Sequence, residues 1–113
     1  MSLQKRQMMR RDALAAHLEA AVTMLLAGEL ATARSLIREA ITGSVGYAVL
    51  SERTGVPQKS LVRMFGPHGN PRAENLAAVL RELQRLGRFR FAVKAVGGVR
   101  YWPGKRGRRR GPK

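Results

Sequence analysis

Apolar residues recur at helical spacing along most of this chain, and breaks in the pattern divide them into five runs. In the first, Leu14, Leu18, Ala21, Val22 and Leu25 share one face of an amphipathic helix, and Gly28 is its stop. The second runs from Glu29 to Ile41. Leu30, Ala33, Ile37, Ala40 and Ile41 line one face of it, with Arg34 and Arg38 outside that face. TGSVG at 42–46 breaks the pattern, because two glycines and a serine suit a connection better than a helix interior. A third helix, from Val45 to Arg53, turns Tyr47, Leu50 and Ser51 inward and ends at Gly55. The fourth occupies 57–65. Asn70 and Pro71 then read as a cap and first-turn pair. They open a fifth helix from Pro71 to Leu86, with Leu76, Val79, Leu80, Leu83 and Leu86 on its buried side and Gly87 as its end.

From residue 88 the period shortens. RFRFAVKAV at 88–96 alternates over part of its length, Gly97-Gly98 is a hairpin-type dipeptide, and VRYW follows. This pattern predicts a β-hairpin over 88–103. The last ten residues, GKRGRRRGPK at 104–113, hold six basic residues, no acid and no apolar side chain, and are expected to form a disordered basic arm. The chain thus divides into an N-terminal amphipathic helix at 1–28, a helical domain at 29–87, the hairpin and the arm, with no internal repeat.

Composition adds a partner. The 113 residues suit one small domain with a single core. They carry a net charge of +15, and removing the six charges of the arm still leaves +9. Charge of that size repels itself, so a polyanion is the expected partner. There is no cysteine, which excludes disulfides and thiolate metal ligands and fits a reducing cytoplasm. Arg10 and Arg11 precede an apolar patch at 20–27, but the patch is too short to span a bilayer, and Asp12, His17 and Glu19 interrupt the approach to it. The reading is an amphipathic helix rather than a signal peptide, with cytoplasmic localisation and no membrane partner.

The stretch TGVPQKSLVRMFGPHGNP at 54–71 meets the requirements of two helices joined by a tight turn, the second free to enter a major groove. A small residue is needed where the helices cross, and Ser51 supplies it. Four residues later the chain must turn with positive φ, which favours Gly55 in a turn over 54–56. Val56 plugs the gap between the helices. Leu61, Met64 and Phe65 then lie on the inner face of a recognition helix. At about 100° per residue, Lys59 and Arg63 point outward, with Ser60 and Val62 on the flanks. Gln58 sits in the first turn, the end that approaches base edges. Gln, Lys and Arg suit adenine, guanine and phosphate. The candidate base contacts are therefore Gln58, Lys59 and Arg63.

The segment LSERTGVPQKSLVRMFGPHGNPRAENLAAVLREL resembles the lambda-repressor-like, or Xre-type, helix-turn-helix, and is most similar to the addiction-module antidote group within it. LAAHLEAAV, TGVPQKSL, the GPHGNP loop and RELQRLG carry the resemblance, over about Leu14 to Val93. It implies an all-α fold: a five-helix lambda-repressor-like DNA-binding domain, here followed by the hairpin and arm. It further implies a homodimer on a palindromic operator, repression of its own promoter and pairing with a RelE/ParE-type toxin. On this pattern Gln58, Lys59 and Arg63 fall at base-reading positions, and Ser60 and the loop around Asn70 at phosphates. Val62, His68 and Arg72 are further candidates on the DNA flank. The hairpin and arm extend past where the group usually ends, and Arg106, Arg108, Arg109 and Arg110 of the arm are candidate phosphate contacts by their charge. The chain departs from the group at Val62, where an aromatic is common, and at Arg72, where a polar cap is common.

Other chemistries find little support in the residues. His17 and His68 are far apart with no acidic cluster, so neither metal nor cofactor is expected. GPHGNP lacks the lysine and preceding strand of a nucleotide-cradling loop. Seven acids, none paired on one face, make no general acid–base site, and no enzymatic activity is expected. Tyr101 and Trp102 are read as the apolar side of the hairpin. The sequence supports a sequence-specific DNA-binding repressor, also readable as the antitoxin of an autoregulated module. The competing reading is a basic protein that binds RNA or the nucleoid without sequence preference.

Overall fold

A computed structural model describes residues 9–98 and residue 100. The arm at 104–113, with Arg106, Arg108, Arg109 and Arg110, lies outside the described residues, as do Tyr101 and Trp102. Five helices follow one another: α1 (Arg11–Leu26), α2 (Leu30–Thr42), α3 (Gly46–Thr54), α4 (Gln58–Met64) and α5 (Ala73–Gly87). The described chain is all-α, with no strand among the described residues. None of these helices is long and apolar enough to cross a membrane.

Helical periodicity becomes a core where the apolar faces meet. Leu14, Leu18 and Ala21 of α1 join Ile37, Ala40 and Ile41 of α2, Leu50 of α3, Leu61 of α4 with Phe65 just after it, and Val79 and Leu83 of α5. Each fully buried Leu, Ile or Phe side chain contributes about 1.5–3 kcal/mol relative to exposure. The α1–α2 pair is the most extensive contact, and His17 of α1 meets Glu39 of α2 at 3.0 Å. Between them Gly28, at φ 84, closes α1, and the Glu29 N–H donates to the Met24 carbonyl at 2.8 Å. α3 contacts α2, α4 and α5, and so connects the rest of the core to α4.

Three details correct the sequence reading. Residues 88–98 form no strand, so the expected hairpin is not present among the described residues. The alternation of RFRF is real, but its apolar side packs on helices. Phe89 and Phe91 lie edge to face at 5.3 Å against the core, and the Phe91 N–H donates to the Gln84 side-chain oxygen at 2.9 Å. A segment that packs on a helix in this way can alternate exposed and half-buried residues without a sheet. Secondly, α5 starts at Ala73 with Arg72 as its N-cap, and Arg72 makes no side-chain capping bond. Asn70 and Pro71 belong to the preceding loop. Thirdly, Gly87 is the last residue of α5 rather than its left-handed stop. Arg88 takes that conformation, at φ 60 and ψ 43.

Candidate nucleic-acid interface

Backbone and side-chain hydrogen bonds close the turn between α3 and α4. Gly55 sits at φ 80, ψ 3, and its N–H donates to the Ser51 carbonyl at 2.8 Å. A Cβ at this position would meet nothing within 4 Å, so the dihedral rather than crowding requires glycine. The Ser51 hydroxyl donates to the Val56 carbonyl at 2.7 Å. The Thr54 hydroxyl donates to the Leu50 carbonyl at 2.9 Å and accepts from the Val56 N–H at 3.2 Å. Ser51 therefore does more than leave room at the crossing. It ties α3 to the residue that enters α4.

α4 has two unlike faces. Leu61 is fully buried, Phe65 is fully buried just past its end, and Met64 and Val56 are half-buried against the core. Gln58, Lys59, Val62 and Arg63 are exposed, and together they line one shallow depression of about 580 Å³. Ser60 is half-buried on the flank. The helix spans 58–64, one residue shorter at each end than the expected 57–65, with Pro57 and Phe65 as its caps.

What fixes α4 from behind was not foreseen. Arg34 and Arg38, one turn apart on α2, reach the C-terminal end of α4 and the loop after it. Arg34 donates from Nη1 to the Gly69 carbonyl at 3.0 Å and from Nη2 to the Pro67 carbonyl at 2.9 Å. Arg38 donates from Nη1 to the Phe65 carbonyl at 3.1 Å. A cation beside the carbonyls that end a helix is favoured electrostatically as well as by hydrogen bonding. Gly69 folds against the same end. A Cβ there would collide with the Met64 and Arg63 carbonyl oxygens.

The expected flank residues spread outward from this loop. His68, Asn70 and Arg72 are all exposed. His68 and Val62 also border a cleft of about 690 Å³ between α3, α4 and the loop, together with Arg38, Tyr47 and Arg63. The Tyr47 hydroxyl is buried and has no hydrogen-bond partner among the described residues. Burial raises its pKa above 10.0, and the positive charge of Arg38 acts in the opposite direction. The structure brings Gln58, Lys59, Val62 and Arg63 to one surface and places His68 beside it, whereas Asn70 and Arg72 lead away into α5. Among the described residues, no acidic side chain lines either concavity.

Compared with family models, curated proteins and solved structures, the chain matches none. The resemblance to the Xre-type group rests on the sequence motifs alone.

Proposed function

We propose that this chain is a sequence-specific duplex-DNA-binding regulator that reads the major groove with the outer face of α4. One observation carries the reading. Four exposed side chains, Gln58, Lys59, Val62 and Arg63, share a single surface of a short helix whose opposite side is locked into the core. A helix of this diameter fits the major groove, where Gln pairs with adenine and Arg or Lys with guanine, while Val62 offers an apolar contact for a thymine methyl. Rigid backing by Arg34 and Arg38 supports the reading, since base contacts demand a helix held in one register. The net charge of +15 supplies the attraction to phosphate.

The lambda-repressor-like architecture, a homodimer on a palindromic operator, self-repression and pairing with a RelE/ParE-type toxin are proposals of the same reading, drawn from the motif resemblance. They place the protein in the cytoplasm. The competing reading, a basic protein binding RNA or the nucleoid without preference, shares the charge but has no use for a polar face set on a fixed helix.

The test is a titration of wild type, Gln58→Ala and Arg63→Ala against a duplex selected by the wild type and against random duplex. Each variant should lose about 1–3 kcal/mol of discrimination, the worth of one bidentate contact. Equal discrimination in all three proteins would remove α4 as the reading face. Tighter binding to random RNA than to duplex at the same salt would favour the competing reading.

A further inference from the structure

A second group of cations lies at the far end of α5. That helix has 15 residues, so about 22 Å of its axis separates this end from the loop that leaves α4. Arg81, Arg85, Arg88 and Arg90 surround one cleft of about 570 Å³, completed by Gln84 and Phe89. All four arginines are exposed. Arg85 meets Glu82 at 3.4 Å, and the other three form no ion pair among the described residues. Glu82 offsets one of the four charges, and the remaining three around one concavity repel each other until a further anion joins them.

Arg88 carries a second, independent signal. It is the sole non-glycine residue with positive φ among the described residues. The geometry is imposed locally. The Phe89 N–H donates to the Gln84 carbonyl at 3.1 Å, and the Phe89 ring folds onto Gly87 where a Cβ would strike it. Glycine would sit at position 88 without strain, yet the position carries an arginine that lines the cleft.

We propose that this cleft is a second nucleic-acid contact, which grips the phosphodiester backbone of duplex DNA and reads no bases. It rests on the reading of the chain as a DNA-binding protein. Guanidinium forks match phosphate oxygens. An acidic protein partner fits less well, because interfaces of that kind are anchored by exposed apolar side chains. The exposed large hydrophobics among the described residues, Leu26, Val62, Val93 and Val96, all lie outside the cleft.

The test uses the full chain and two variants: Arg88→Gly alone, and Arg81→Gln with Arg88→Gly and Arg90→Gln. Binding to random and to selected duplex is measured across salt concentrations, and the unfolding midpoint is recorded for each protein. Arg88→Gly should keep or raise the midpoint, since it relieves the left-handed backbone, and should lower the salt slope by about 0.9. The triple variant should lower the slope by about 2.7 on both duplexes, so that its affinity falls roughly 40-fold less than that of the wild type between about 50 and 200 mM salt. Discrimination between the two duplexes should persist. An unchanged slope in both folded variants overturns the proposal, as does a slope that falls on random RNA, titrated in parallel, but not on duplex. Should the wild type show no discrimination at all, the α4 reading fails, while the slope on random duplex still decides this one.

Discussion

Tyr47, in the first turn of α3, places a phenol hydroxyl where no partner among the described residues meets it. An unpaired buried hydroxyl costs about 1–3 kcal/mol. Tyr47→Phe should therefore hold or raise stability by about 1 kcal/mol near neutral pH. The alkaline behaviour follows from the direction of the pKa shift. Burial raises the folded-state value above 10.0, so the unfolded chain releases its proton first. Stability is unaffected well below that value and is lost as pH rises from 10.0 through the folded-state value. Urea unfolding on both sides of that value should show the loss in wild type and a smaller one in Tyr47→Phe. A Phe variant that is weaker near neutrality and equally alkali-sensitive would mean that the hydroxyl has a partner.

At the scale of elements, the loop after α4 is held from two sides, by the guanidiniums of Arg34 and Arg38 and by the close approach of Gly69. Gly69→Ala must push backbone apart, because the obstacles are the carbonyls of Met64 and Arg63. It should cost about 2 kcal/mol or more in denaturant unfolding. Gly97→Ala, which meets nothing within 4 Å, should stay within about 0.5 kcal/mol of wild type. Equal stability of the two variants would contradict this packing.

The helices were legible because Leu14, Leu18, Ile37, Leu50, Leu61 and Val79 repeat at a period that folding preserves. Gly55 was legible because a turn of this length asks for positive φ at one place. Arg34 and Arg38 were not. Their position beside a buried face is visible in the sequence, but the carbonyls they bind lie 27 to 35 residues further on. Phe89 and Phe91 misled for a related reason, since period two reports alternate burial and says nothing of whether a sheet or a helix does the burying. Gly87 looked like a helix stop, yet contact with the Phe89 ring consumes its missing side chain and passes the left-handed position to Arg88.

On the scale of the whole molecule, charge and shape divide the work. On the proposed reading, a net charge of +15 supplies attraction to any polyanion and would make binding steeply salt-dependent, whatever the sequence bound. Discrimination has to come from the few side chains that a fixed helix presents. The central claim is that Gln58, Lys59, Val62 and Arg63 on α4 are those side chains. Selection of bound duplexes from a random pool, run in parallel with wild type and with Gln58→Ala/Arg63→Ala, tests it most directly. The wild type should enrich one short recurrent motif, and the double variant should lose that motif while still binding DNA at low salt. Enrichment of no motif by the wild type, or of the same motif by both proteins, would contradict the account.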